Sequence, residues 1–115
     1  MIKEGQIVLF RFPQTDLQET KLRPALVLRE VQGRYDDWLI CMISSRIYQQ
    51  KVGLDEVVIR ADEDFKDTGL KADSFIRVCR LAVVESKIFL GRTGHISTQR
   101  LWRIKEKLST WIMGK

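Results

Sequence analysis

The chain reads as a mainly β protein, a small barrel carrying one C-terminal α-helix. Short apolar runs with a two-residue alternation recur from Gln6 to about Leu90, separated by polar turns. Leu101, Ile104, Leu108, Trp111 and Ile112 then fall at helical spacing and form one apolar stripe. At 115 residues, of which 44% are hydrophobic, the chain has the size and core content of a single domain spanning 1–115.

The first strand is expected over Gln6 to Phe12, with Val8, Phe10 and Phe12 on one face and Ile7, Leu9 and Arg11 on the other. Pro13 ends it. Residues 14–22 are polar, a loop of nine residues that exceeds the usual hairpin length of about 2–5 and suits a segment that covers or builds a site. The second strand is expected from Arg23 to about Val31, and its Ala25 to Leu28 run suits a strand covered on both faces. Pro24 lacks a ladder donor and belongs at the start of that strand or at an edge, where it holds Arg23 extended. The third strand runs from Trp38 to Ser45 and ends in two hydroxyls, only one of which points with a given face.

A second loop, 46–53, carries Arg46, Tyr48 and Lys51, and a short strand follows at Val57 to Arg60. Asp62, Glu63, Asp64 and Asp67 lack the spacing of a calcium loop and read as a solvated turn. Ser74 to Leu81 alternates Phe75, Arg77 and Cys79 against Ile76, Val78 and Arg80, and short strands are expected at Ala82 to Val84 and Lys87 to Leu90. Ser97 is placed to cap the helix, and Trp102 and Met113 flank its stripe, leaving apolar surface to spare for a partner subunit.

No apolar run is long enough to cross a membrane, and the N-terminus shows no signal-peptide pattern, so a cytoplasmic protein is expected. Cys41 and Cys79 sit in apolar strands and read as buried thiols. One histidine and two distant cysteines make no zinc spacing, and no metal or other cofactor is expected. Residues 1–84 carry 13 Lys/Arg against 13 Asp/Glu, so the net charge of +5 lies wholly in 85–115, an asymmetry that suits either an anionic partner or a solvated helix face.

The sequence contains no phosphate loop, HExxH or Gly-x-Ser-x-Gly motif, and His95 reads as a structural or surface histidine. Any catalysis must then be simple, metal-free and arginine-assisted. RNA cleavage fits, because the substrate supplies its own nucleophile, the 2′-hydroxyl beside the scissile phosphate. An arginine fork and a hydroxyl donor suffice to hold the charge that develops on phosphorus oxygens.

Gly5-Gln6-Ile7-Val8-Leu9, Phe12-Pro13 with Thr15-Asp16-Leu17, and Lys21-Leu22-Arg23-Pro24-Ala25-Leu26-Val27-Leu28 resemble the opening of the MazF/PemK (Kid) family of toxins from toxin–antitoxin systems. Ile43-Ser44-Ser45 resembles that family's third-strand hydroxyl motif, 69–77 its lead into a later strand, and Gly94-His95-Ile96-Ser97 its ending. The resemblance covers nearly the whole chain. It implies the SH3-like barrel shared by CcdB, Kid and MazF, a homodimer, metal-independent and sequence-selective cleavage of single-stranded RNA, and a cognate antitoxin that occupies the RNA groove. On that basis Arg23 stabilises the phosphate, Ser44 supplies the hydroxyl in place of a threonine, and Arg77 matches an arginine used by some members. The acids of other members are replaced here by Cys79 and Gln18, leaving Glu19, or Asp16 in the same loop, as the base. Asp16, Thr20, Lys21, Ser45, Arg46 and Lys51 are the expected RNA-contacting set. The alternative is a binding module on the same barrel that holds RNA uncut or blocks a gyrase-type protein target.

Overall fold

The computed structural model describes residues 1–13 and 20–115, with side chains for 1–11 and 22–115. Six antiparallel strands form one sheet: β1 (Gln6–Pro13), β2 (Thr20–Val31), β3 (Asp37–Ser44), β4 (Glu56–Val58), β5 (Ser74–Glu85) and β6 (Gly91–His95). Their order is β4-β5-β3-β2-β1-β6. The sheet is curled into a half-barrel, and the helices are α1 (Phe65–Thr68) and α2 (Thr98–Ile112). The mainly β architecture with a C-terminal helix is therefore as the alternation and the terminal stripe foretold.

Both faces of the sheet are covered, which is why Ala25 to Leu28 is apolar without interruption. Ile7, Leu26, Leu28, Cys41, Ile43, Ile76 and Val78 join Ile104 and Leu108 of α2 in one core. Val8, Phe10, Ala25, Val27, Trp38, Ile40 and Met42 form a second on the opposite face. The helix stripe stops being buried after Leu108: Trp111 and Ile112, expected in the core, are exposed, as are Trp102 and Met113. Ser97 caps α2 as expected, its side chain accepting from the Arg100 amide at 3.2 Å.

Several boundaries move. β2 begins at Thr20 rather than Arg23, because Pro24 is accommodated inside the strand. It pairs with Leu9 of β1, while the pairing with β3 starts one residue later at Ala25, so the missing donor falls where β2 is an edge. The segment between β1 and β2 is thus 14–19, shorter than the nine residues expected. The short fourth strand is Glu56–Val58 rather than Val57 to Arg60. Lys87 to Leu90 is no strand: Ser86–Ile88 is a single 3-10 turn, with Ser86 N donating to Asp36 O at 2.9 Å. The two strands expected over 74–84 are one, bent by a bulge. Met42 pairs with Arg77 but Cys41 with Leu81, so 78–80 are extra residues in β5. An odd insertion reverses parity, which places Phe75 and Arg77 on the same face as Ala82 and Val84.

The largest departure is the acidic run. Asp64 is buried, and Arg100, which lies outside the apolar stripe of the helix, is only 5% exposed. Every N–H of the Arg100 guanidinium is used: Nε and one terminal nitrogen bind the two Asp64 oxygens at 2.9 Å each, and the others reach Asp62, Glu56 and the Val57 carbonyl at 2.9, 3.0 and 2.8 Å. Arg103 and Lys107 close on Glu56 at 2.8 and 3.1 Å. Burial forced this pairing, since charges survive in an interior only with such partners. Gly94 allows the last strand to lie against α1, as a Cβ there would stand 2.0 Å from the Asp67 carbonyl oxygen.

Two outcomes follow for stability. Arg100→Ala strips the buried Asp64 of its counter-charge and should cost roughly 3–5 kcal/mol in urea denaturation. The Arg100 hydrogen bonds outweigh the upward push of burial and, with the Ser97 amide, hold the Asp64 carboxyl at about 2. A depressed carboxyl contributes fully above its unfolded value of about 3.9 and loses that contribution as pH falls through the folded one. Stability should therefore decline between about pH 4 and pH 2, and Asp64→Asn should lower it at neutral pH while flattening that decline.

Candidate functional site

The site builds from register. Ala25 pairs with Met42 and Leu26 with Cys41, and the same register carried two residues further sets Arg23 across from Ser44. On the other side of β3, Met42 pairs with Arg77 and Ser44 with Phe75. Directly paired residues share a face, so Arg23, Ser44 and Arg77 stand on one face, at the end of the sheet where β3 gives out. Strands two places apart are separated by about 10 Å, within the reach of two arginine side chains toward a common point. Arg23, Ser44 and Arg77 are all partly exposed. The Arg77 guanidinium carbon lies 5.9 Å from the centroid of the buried Phe75 ring, a cation–π contact that steadies a cation otherwise free to swing.

Ser44 is oriented by the chain that follows. Its Oγ accepts from the Arg46 amide at 3.1 Å, which satisfies a lone pair and leaves the hydroxyl proton to be donated elsewhere. Ser45 lies on the opposite parity and is exposed. Beyond it the chain makes a 3-10 turn, Ile47–Gln49. Arg46 and Lys51 bracket this turn and are both exposed.

Asp55 ties that loop to β5. One carboxylate oxygen accepts from the Lys51 amide at 2.9 Å and the other from the Val78 amide, in the bulge, at 3.2 Å. Nothing in the sequence marked Asp55, because its second partner lies 23 residues away and exists only through the bulge. Cys79, expected to be buried, is only partly so. Burial and then the Asp55 carboxylate raise its pKa against the opposing pull of Lys51, so the thiol stays protonated. Cys41 is buried, and the same two causes, with Cys79, push its thiol strongly upward.

Of the remaining expected residues, Glu19 and Asp16 lie outside the described residues. Thr20 and Lys21 open β2 opposite Pro13 and Phe12, with only their backbone described. His95 is exposed on β6, paired with Gln6, away from the Arg23 end of the sheet. Among the described residues no group of three or more His, Cys, Asp or Glu is arranged to hold a metal ion. A cavity of about 620 Å³ opens at the far end of the strands, between Trp38 and Phe89, and none of Arg23, Ser44 or Arg77 lines it. Asp36 at its edge accepts from the Ser86 hydroxyl and the Trp38 indole, which hold its carboxyl below the usual range.

Comparisons with known proteins agree with the fold. Solved structures with the same fold include an endoribonuclease in complex with its cognate antitoxin from a mycobacterial species, at 12% identity and TM-score 0.67, covering 97% of this chain and 95% of that one. Two crystal forms of MazE–MazF from Deinococcus radiodurans superpose with TM-scores of 0.66 and 0.69 at 13% and 16% identity. They cover 96% of this chain in each case, and 94% and 95% of theirs. A search of curated proteins returns no match. The family model for PemK-like, MazF-like toxins of type II toxin–antitoxin systems matches residues 3–112, nearly the whole chain, and the protein belongs to that family.

Proposed function

We propose that this toxin is an endoribonuclease that cuts single-stranded RNA at the Arg23–Ser44–Arg77 face. The observation that supports the reading is the shared face: Arg77 stands opposite Met42, Ser44 opposite Phe75 with its Oγ oriented by the Arg46 amide, and the β2–β3 register extended beyond Ala25 brings Arg23 to that face. The 2′-oxygen of the substrate attacks the adjacent phosphorus, a P–O2′ bond forms, and the P–O5′ bond breaks. Arg23 and Arg77 hold the non-bridging oxygens, whose charge rises in the transition state, and the Ser44 proton adds a third donor. The 2′ proton passes to a carboxylate, assigned to Glu19 with Asp16 as the alternative, and the leaving 5′-oxygen takes a proton in turn. Arginine suits the phosphate role because it stays charged and binds in a planar fork. Resident metal is not required by this chemistry, as the family resemblance implies.

The same reading makes Thr20, Lys21, Ser45, Arg46 and Lys51 RNA contacts. It also makes the protein a cytoplasmic homodimer held in check by a cognate antitoxin. The solved relatives include toxin–antitoxin complexes, and the exposed Trp111, Ile112 and Met113 at the end of α2 offer apolar surface to a partner.

Purified protein should cleave single-stranded RNA in EDTA and leave 2′,3′-cyclic phosphate ends. Arg23→Ala and Ser44→Ala should each reduce the rate by about 10²–10³ while far-UV circular dichroism is unchanged. RNA left intact by the wild-type protein but retained in a binding assay would favour the non-cleaving module instead. Undiminished cleavage by Arg23→Ala would remove that residue from the mechanism.

A further inference from the structure

We propose that the turn after Ser44 is a preorganised platform on which Tyr48 stacks a base of the RNA flanking the scissile phosphate. This inference rests on the nuclease reading and adds a specificity-determining residue to it.

Tyr48 is 78% exposed, and the backbone on either side of it is hydrogen-bonded. The Ile47 amide donates to Ser45 O at 3.0 Å, that of Gln49 to Arg46 O at 2.9 Å, and that of Gln50 to Ile47 O at 3.1 Å. Upstream, the Arg46 amide is bound to Ser44 Oγ at 3.1 Å. Downstream, Asp55 binds the Lys51 amide and the Val78 amide together, fastening the turn to the bulge just beyond Arg77. The ring therefore presents its faces to solvent from a hydrogen-bonded turn, where a base can stack on it.

Position and charge say what the ring is for. Tyr48 follows Ser44 by four residues, so it lies at most about 14 Å from it along the chain, within a few nucleotides of the reacting phosphate. Exposed Arg46 and Lys51 flank it on either side and suit the phosphates on each side of a stacked base. Single-stranded nucleic acid is held in this way, by cations along the backbone and aromatic faces under the bases. Tyr35, 59% exposed, sits in the β2–β3 connection at the other end of the strands, between Arg34 and the acids Asp36 and Asp37.

The probe is a single-stranded RNA oligonucleotide methylated at every 2′-oxygen, which binds without being cut, used beside its unmodified twin. Tyr48→Ala should weaken binding of the methylated strand by roughly 5- to 150-fold. On the cleavable strand it should raise KM by a similar factor, leave kcat within about threefold, and redistribute the mapped ends. Tyr48→Phe, which keeps the ring, should recover most of the affinity, and an abasic nucleotide at the stacked position should abolish the difference between wild type and Tyr48→Ala. The platform is overturned if Tyr48→Ala binds and cuts like wild type at the same sites, or if Tyr48→Phe is as impaired as Tyr48→Ala. Wild-type protein that binds the methylated strand but cuts neither overturns the nuclease reading alone, and the binding arm then decides the stacking by itself.

Discussion

The guanidinium of Arg100 is the constraint around which the fold is assembled. It is an interior cation with all five N–H groups used, gathering Asp64, Asp62, Glu56 and the Val57 carbonyl onto one helix turn. Such a cluster adds little net stability over an apolar equivalent, since desolvating four charges offsets most of their attraction. Its value is geometric. The fork accepts its carboxylates only in plane and in register, so α2 sits over β4 and the 62–64 turn at one angle and one depth. Asp64 also binds the Ser97 amide, so the residue that anchors Arg100 also fixes the start of the helix.

With α2 held in this way, the sheet beneath it must present apolar residues to the helix on one face and still build a polar site at its end. The bulge in β5 reconciles the two demands. Before it, Ile76 packs in the helix core while Phe75 and Arg77 share the opposite face; Val78 within it keeps to the helix core, and after it Leu81 packs toward that core and Ala82 and Val84 join the other. A regular strand would have kept Arg77 in line with Leu81 and forced one of them onto the wrong face. Asp55 occupies the opening the bulge creates, taking the Val78 amide and handing the other oxygen to the loop that begins at Ser44. The site is therefore a consequence of where regular pairing fails, which is also why β-bulges recur beside functional residues.

What could be read in advance divides along the same line. Local chemistry was legible: the alternation of β1, the two covered faces implied by Ala25 to Leu28, the Ser97 cap, and the abrupt hydroxyls at the end of β3 all depend on near neighbours. Arg23, Ser44 and Arg77 could each be singled out because an arginine or serine interrupting an apolar strand end is conspicuous, but their common face needed the register. Contacts distant in sequence were not legible. The acidic run looked solvated because its counter-charge lies about one-third of the chain away, Pro24 was read as a strand start or an edge because which of the two holds depends on where the β2–β3 pairing stops, and Lys87 to Leu90 looked extended because the hydrogen bond of the preceding Ser86 to the β2–β3 connection is tertiary.

Charge shows how misleading a one-dimensional tally can be. The whole formal surplus of +5 falls in residues 85–115, which invites the terminal helix to be taken as the surface that meets an anionic partner. Yet Lys87, Arg100, Arg103, Lys105 and Lys107, five of the seven cations there, are each within ion-pair distance of a carboxylate. All but Lys87 reach across to acids of the first 84 residues, so the balance in that half of the chain is broken by the same contacts. Glu56, Asp62 and Asp64 are taken up by the helix. The surplus that composition assigns to the terminal segment is therefore largely answered by carboxylates from the rest of the chain, and a tally of residues does not locate a positive surface.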